Sequence, residues 1–289
     1  MGRVRDLFET AVHQGLKRLP TERASALGSF VTRQNVKYFL KQVPINARNN
    51  LKRHHPAWTD AQLNAGVRRF LDNVGRLMGE YSILDRLHAE DRLVYGEGLQ
   101  QLARDKGQYP VVSIALHIGN WEAMGGGLKD LGIKTATFYE PPASEVQRRI
   151  VIDVREHFGF QLLTPDLKGL RSAIALLKDN GFVFMFGDEA RDGFTMAPLF
   201  GRQPHDDGNL SIIARLARKS NARLNISFVE RLPDCRFHLQ MSEMFSLPDT
   251  PGRTILDDVA FLNARIEPII LDHLDSWYFL DDSLETEGA

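Results

Sequence analysis

The chain has 289 residues, of which 43% are hydrophobic and 25% charged, with a formal net charge of −1 and a single cysteine. These values exclude extended disorder, a collagen-like fibre and a small disulfide scaffold. The charge is unevenly placed, because residues 1–54 hold 11 Lys/Arg and 3 Asp/Glu. Such a basic segment suits an anionic membrane, an acidic protein or nucleic acid, or it is simply a solvated helix face.

The first 90 residues are predicted to be helical. Apolar residues at helical spacing form a stripe near the start, comprising Val4, Leu7, Phe8, Val12 and Leu16. The clearest helix follows Thr59, which can act as the N-cap, with Gln62 completing a capping box. We therefore predict an N-terminal helical, basic module over 1–90 that faces a membrane or a partner.

No stretch approaches 18 consecutive apolar residues, so the sequence predicts no transmembrane helix. The N-terminus has no apolar run of the kind that a secretory signal needs. We expect the chain to reside in the cytoplasm.

From about residue 92 the pattern changes to strands that alternate with helices. The predicted strands are Val111–Leu116, Thr135–Tyr139, Phe182–Phe186 and Leu224–Val229, and the predicted helices lie near 121–131, 144–158, 167–179, 209–220 and 254–273. This alternation predicts an α/β fold with a mixed, largely parallel central sheet flanked by helices. The α/β domain is assigned to 91–289, and the two regions are expected to form one structural unit.

The sequence lacks the G-x-S-x-G, G-x-x-x-x-G-K-[ST], G-x-G-x-x-G and H-E-x-x-H motifs. Serine hydrolase, P-loop nucleotide and zincin chemistries therefore lose their usual support. The informative stretch is the apolar strand ending in His117-Ile-Gly-Asn-Trp-Glu122. Gly119 allows a tight turn, Asn120 can cap the next helix, and Glu122 falls in its first turn. Such a turn can bring the Glu122 carboxylate onto the His117 imidazole, to fix its tautomer for general-base work.

Spacing alone carries little information, since about one His-x4-acid pair is expected by chance in this composition. The chain has three such pairs, His55/Asp60, His117/Glu122 and His238/Glu243. Of these, His117/Glu122 is the one at a strand-to-helix switch, where α/β sheets collect their sites. The residues alone leave a catalytic and a purely structural histidine about equally favoured.

The stretch Ala-Leu-His117-Ile-Gly-Asn-Trp-Glu122 resembles the His-x4-Glu signature of the lysophospholipid acyltransferase superfamily. Its Gly-Asn-Trp filling is similar to the branch of lipid A late (lauroyl and myristoyl) acyltransferases and phosphatidylinositol mannoside acyltransferases. Weaker likenesses lie on both sides of this stretch, in the same order along the chain as in the family. They are Asn50-Leu-Lys, the helix ending at Glu80, Tyr139-Glu-Pro141, Arg155 with Gly159, Asp188-Glu189, Pro198-Leu-Phe-Gly201 and Trp277-Tyr278.

Several positions depart from the pattern of that branch. No apolar N-terminal anchor is expected, Glu140 stands where the branch has Arg, and Glu189 where it has Gln. Leu280-Asp281-Asp282 replaces the basic residues expected after Trp-Tyr. Each polar change removes attraction for phosphate or adds negative charge, so these positions count against a phosphorylated disaccharide acceptor more than against acyl transfer.

The resemblance implies an O-acyltransferase that moves a fatty acyl group from an acyl thioester, on acyl carrier protein or coenzyme A, to a lipid hydroxyl. It implies His117 and Glu122 as the catalytic pair. Arg155, Asn120, Asp188 and Arg191 are candidates for substrate binding or for the oxyanion. A hydrolase using the same pair, and a non-catalytic lipid-binding relative, remain alternatives.

No cofactor and no metal ligand set is expected, because acyl transfer by a general base needs neither. The expected partners are the acyl thioester donor, a lipid acceptor and an anionic membrane surface, with no nucleic acid. The expected location is peripheral, on the cytoplasmic face of the inner membrane, with the basic N-terminal stripe as the contact unless that stripe packs on the core.

Overall fold

The computed structural model describes residues 2–139 and 145–282. Glu140 and Pro141, which the sequence comparison singled out, lie outside the described residues. The helices are α1 (Gly2–Leu16), α2 (Thr21–Tyr38), α3 (Gln42–His54), α4 (Asp60–Glu80), α5 (Leu84–Ala89), α6 (Glu97–Asp105), α7 (Ala123–Asp130), α8 (Glu145–His157), α9 (Leu167–Lys178), α10 (Asn209–Ser220) and α11 (Ile255–Asp272). The strands are β1 (Leu93–Tyr95), β2 (Val111–Ala115), β3 (Thr135–Phe138), β4 (Gln161–Leu163), β5 (Phe182–Phe186), β6 (Ala190–Arg191), β7 (Phe194–Thr195), β8 (Arg223–Leu232) and β9 (Arg236–Met241).

Seven strands form one central sheet in the order β1-β9-β8-β2-β5-β3-β4. All neighbours are parallel except β8 and β9, which are antiparallel, so the predicted mixed and largely parallel α/β sheet is confirmed. The strands β6 and β7 form a separate short hairpin. The sequence analysis did not predict this hairpin or the three-residue strands β1 and β4, because they are too short to show a pattern.

Helices cover both faces of the sheet, which explains why its central strands are apolar on both sides. Val112 and Ile114 of β2 belong to a core layer shared with α3, α4, α10 and α11. Val111 and Ala115 of the same strand belong to the opposite layer, shared with α5, α6 and α7. This alternation is the ordinary two-residue period of a strand.

The N-terminal region is helical, as predicted, and Thr59 with Gln62 makes the predicted capping box at the start of α4. Helix α2 crosses α4 at very short distance, since a Cβ on Gly28 would stand 2.3 Å from the carbonyl oxygen of Gly75. Of the stripe predicted on α1, Leu16 is buried and Val12 is 43% exposed, and the side chains of Val4, Leu7 and Phe8 lie outside those that the structure describes. No helix within the described residues is long and apolar enough to cross a bilayer. The boundary at residue 90 stays a prediction.

Candidate active site

The site begins at the loop that joins β2 to α7. Gly119 has φ +63°, and a Cβ there would stand 2.1 Å from the carbonyl oxygen of Val229, so this position requires glycine. The C-terminal segment, defined here as residues 276–282, lies over the loop. Tyr278 N–H donates to the His117 carbonyl (2.8 Å), and Gly119 N–H donates to the Ser276 carbonyl (3.0 Å). The tight turn predicted at Gly119 is therefore present, and it is held from both sides.

His117 is oriented by Asp188. Its Nδ1 lies 2.8 Å from Asp188 Oδ1, and its backbone N–H donates to Asp188 Oδ2 over the same distance. Trp277 Nε1 also donates to Oδ2 (2.9 Å), and the carboxylate is fully buried. Because a carboxylate oxygen accepts hydrogen bonds, the proton of a neutral imidazole in this position resides on Nδ1, and Nε2 is left as the nitrogen that can accept a proton.

Strand register explains this pairing. Ala115 of β2 and Phe186 of β5 are parallel partners, and His117 and Asp188 each follow two residues later. The sequence analysis assigned the orienting contact to Glu122, and the structure corrects that assignment. Glu122 is the N-cap residue of α7, and among the described residues its carboxylate bonds Arg155 and Tyr81 instead.

Glu122 and Arg155 form a second charged pair, also shielded from solvent. Arg155 Nη2 lies 2.7 Å from Glu122 Oε1, and Tyr81 donates its hydroxyl to the same oxygen (2.7 Å). Burial acts to raise the pKa of Glu122, but the charge and hydrogen bonds of Arg155, with the Tyr81 hydroxyl, hold it below its ordinary value. Burial, and then the Glu122 carboxylate, raise the pKa of Tyr81, so its phenol stays protonated.

Arg155 is largely shielded from solvent. Its side chain is 13% exposed, and its guanidinium lies 5.6 Å from the ring centre of Tyr139, at the end of β3. Burial would lower its pKa, but the Glu122 carboxylate outweighs burial and raises it, so Arg155 is a permanent cation. Glu122 engages Nε and Nη2, which leaves guanidinium N–H groups that a substrate oxygen can use.

Asn120 serves a buried network rather than capping α7. Its Nδ2 donates to Glu80 Oε2 (2.8 Å), and Glu80 is paired with Arg231 of β8 through contacts of 2.5 and 2.9 Å. Ser25 adds a hydrogen bond to Glu80 (2.6 Å). Asn120 Oδ1 is buried and has no hydrogen-bond partner among the described residues. This network ties α2, α4 and β8 to the loop that joins β2 to α7.

Aromatic rings enclose the His117 imidazole. Phe186 stacks on it with ring centres 3.9 Å apart, and Trp121 and Phe279 meet it edge-on at 4.8 and 4.9 Å. The His117 side chain remains 16% exposed. The rings therefore restrain the imidazole, which keeps a small exposed area.

A groove of about 400 Å³ lies between α1, α4 and α8, and its wall includes Tyr278, whose ring centre is 5.2 Å from that of Trp121. Its wall is mostly apolar, and includes Val12, Leu16, Met78, Ile150, Val151 and Tyr278. Tyr81 also lines the groove and hydrogen-bonds Glu122, so the groove adjoins the site. The volume is within the usual range for a small-molecule site.

Two of the candidate site residues do not take the positions expected for substrate binding. Arg191 lies on the exposed β6–β7 hairpin, 49% exposed, and pairs with Asp207 (3.2 Å). Asp188 was proposed as a substrate-binding residue, and the structure places it behind the histidine. Glu189, next to it, accepts the Asn209 N–H at the start of α10 (2.7 Å).

From the sequence, Glu80 and Trp277 were noted as family likenesses without a catalytic role, and no role was assigned to Tyr81 or Arg231. One local signal existed for Glu80, an acidic residue three positions after Leu77 on the apolar face of α4. No comparable signal marked Arg231, because its hydrogen-bond partners, Asn73 and Glu80, both lie on α4, 158 and 151 residues earlier in the chain.

Fold and site together define an α/β protein with a carboxylate-oriented histidine at the carboxyl edge of its sheet, near an apolar groove. The family model for bacterial lipid A biosynthesis acyltransferases matches residues 4–286. The chain therefore belongs to the bacterial lipid A biosynthesis acyltransferase family. A comparison with curated proteins gives no significant match.

Proposed function

We propose that this chain transfers a fatty acyl group from an acyl thioester to a hydroxyl of a lipid acceptor, such as a lipid A precursor, glycolipid or lysophospholipid. The observation that carries the proposal is the His117–Asp188 pair, which leaves Nε2 as the nitrogen that can accept a proton, beside an apolar groove whose wall includes Tyr278, with its ring centre 6.4 Å from that of His117. An acyl chain is the ligand that suits such a groove, because burial of each methylene contributes about 0.8 kcal/mol.

The reaction follows from the state of His117. Nε2 removes the proton of the acceptor hydroxyl while that oxygen attacks the thioester carbonyl carbon. The carbonyl oxygen becomes an oxyanion in a tetrahedral intermediate. When the intermediate collapses, the C–S bond breaks and the leaving thiolate takes the proton from His117. The Asp188 carboxylate stabilises the imidazolium that exists between these two steps.

Arg155 is assigned to the developing oxyanion or to a phosphate of the donor. Its charge is permanent, and Glu122 fixes its direction. Loss of one pre-positioned donor to an oxyanion usually lowers the rate about 100- to 1,000-fold. Glu122 accordingly acts through Arg155 and is a positioning residue, while His117 is the catalytic base.

The acceptor is proposed to carry little phosphate where it meets the C-terminal segment. Asp281 and Asp282 end that segment, and both raise the pKa of Tyr278, after burial, so their charges lie near the groove. Burial and then Asp281 raise the pKa of Asp282 to about 6, which leaves it mostly ionised at pH 7 and unfavourable to phosphate. We place the reaction at the cytoplasmic face of the inner membrane, with the protein bound peripherally.

Product analysis with a labelled acyl thioester tests the proposal. The purified enzyme is given acyl carrier protein or coenzyme A thioesters with a panel comprising a lipid A precursor, a non-phosphorylated glycolipid and a lysophospholipid. We expect an acyl ester that His117→Ala does not form. Free fatty acid as the main product with every acceptor would make the protein a hydrolase, and no turnover with any acceptor would favour a lipid-binding role.

A further inference from the structure

Exposed apolar side chains are concentrated on one surface formed by α2, the turn after it and the first part of α3. Phe39 at the turn is 79% exposed, and Val31 and Phe30 of α2 are 54% and 52% exposed. The full set, here named the α2–α3 surface, is Leu27, Phe30, Val31, Tyr38, Phe39, Leu40 and Ile45. Large apolar groups gathered in this way mark an interaction surface.

The fold itself cannot bury the apolar side chains of the α2–α3 surface. The opposite face of α2 is already packed on α4, where Ala24, Ser25, Gly28 and Ser29 are buried. Leu27, Phe30 and Val31 project from the other side of the same helix, because residues separated by three or four positions share a face. The contact of Gly28 with the α4 backbone leaves no room for α2 to turn and bury them.

The charge around the surface is strongly positive. Residues 21–54 contain seven Lys/Arg and one Asp/Glu, and the single acid, Glu22, is paired with Arg92. Asp72 and Asp60, on α4, neutralise Arg33 and Arg48. Lys37 and Lys41 flank the apolar turn, and the Lys37 ammonium lies 5.3 Å from the ring centre of Tyr38. Whatever binds the α2–α3 surface must therefore provide both apolar groups and negative charge.

The inner side of the same helix pair is attached to the catalytic site. Asn50 of α3 donates to the carbonyl oxygens of Leu280 (2.8 Å) and Asp282 (3.0 Å). The same C-terminal segment holds His117 through the N–H of Tyr278. A membrane or ligand that contacts the outer side of α2 and α3 would therefore be separated by one layer of helices from the segment that covers His117.

We propose that the α2–α3 surface seats the protein on an anionic lipid bilayer. Phe30, Phe39 and Leu40 enter the boundary between headgroups and acyl chains, while Lys37 and Lys41 remain at the lipid phosphates. This combination of apolar insertion and basic flanks is how interfacial helices bind membranes. The inference rests on the proposed function for its purpose, but binding itself needs no turnover. It replaces the basic stripe of α1 as the principal contact.

Vesicle co-sedimentation of the full chain, without substrates, tests this. The vesicles are phosphatidylcholine alone or mixed with phosphatidylglycerol. We expect binding to the anionic vesicles, weakened by salt, and a loss of about tenfold or more in Phe30→Ser/Phe39→Ser/Leu40→Ser. Lys37→Gln/Lys41→Gln should weaken binding to anionic vesicles and reduce its salt dependence. A matched control, Leu167→Ser/Phe194→Ser, changes two exposed apolar residues elsewhere and should bind as wild type.

The alternative contact is tested by Arg3→Gln/Arg5→Gln/Lys17→Gln/Arg18→Gln. Binding that is lost in this variant and kept in the triple serine variant would overturn the proposal. So would wild-type dimers that the triple serine variant abolishes while vesicle binding stays unchanged, since the surface would then be an interface between copies. Turnover with a detergent-dispersed acceptor should be unaffected by the triple serine change, which separates a failure of membrane seating from a failure of the proposed chemistry.

Discussion

Replacement of Asp188 by Asn should invert the tautomer of His117 and remove most of the activity. Three N–H groups converge on the carboxylate, two of them at Oδ2 and the His117 Nδ1–H at Oδ1. An amide has one acceptor oxygen, which must face the backbone N–H of His117 and the indole N–H of Trp277. Its NH₂ group then faces Nδ1, which can accept that hydrogen bond only if the ring proton moves to Nε2. The nitrogen that should act as the base is then protonated.

The size of the effect follows from the alternative orientation of the introduced amide. Rotating that amide to restore the proper tautomer points its NH₂ group at the N–H groups of His117 and Trp277 and leaves two buried donors unsatisfied. Each such donor costs about 1–3 kcal/mol, so the productive state lies about 2–6 kcal/mol higher. This corresponds to a loss of turnover of roughly 30-fold to roughly 10⁴-fold.

The assay is ester formation from a labelled acyl thioester at saturating donor, with thermal unfolding measured on the same samples. Asp258→Asn is a suitable control, because Asp258 is also buried but bonds Arg218 and Arg253 away from the site. We expect that control to lose stability and keep its turnover. If Asp188→Asn retained wild-type turnover, or if Glu122→Gln lowered turnover more than Asp188→Asn does, the assignment of Asp188 as the orienting carboxylate would be refuted.

Further predictions concern His117, the Glu122–Arg155 pair and Glu189. His117→Ala should lower ester formation by at least about 100-fold with an unchanged fold by circular dichroism; wild-type turnover would contradict the mechanism. Arg155→Ala should cost about 3–5 kcal/mol of stability, by leaving Glu122 buried without its partner, and should impair turnover or donor affinity far more than Arg149→Ala; equal kinetics would remove Arg155 from the site. Burial raises the pKa of Glu189 to about 7, so the folded chain binds the proton of this carboxyl more tightly than the unfolded chain does. The stability that this tighter proton binding contributes is lost as the pH rises through about 7. The melting temperature of Glu189→Gln relative to wild type should therefore be higher at pH 8 than at pH 5, and a constant difference would contradict this.

Local sequence patterns were sufficient for the elements that carry the site. The strand Phe182–Phe186 has the predicted bounds, and the helices at 145–157, 167–178 and 209–220 begin and end within one or two residues of prediction. These elements are long and strongly patterned, and their ends are marked by capping or turn residues. The turn from strand to helix after residue 116 could be predicted for the same reason, because Gly119 marks the turn and adopts a positive φ there.

The sequence by itself also determined that His117 stands at the carboxyl edge of a parallel sheet, because a buried strand ends directly before it. Only the tertiary structure decided which carboxylate reaches it. Glu122 is five residues away and looked closer, but the loop turns it toward Arg155. Asp188 is 71 residues away, yet β5 lies beside β2 in register, so the residues two positions past Ala115 and Phe186 come together. Strand order arises from how all the crossovers pack at once, and no local pattern encodes it.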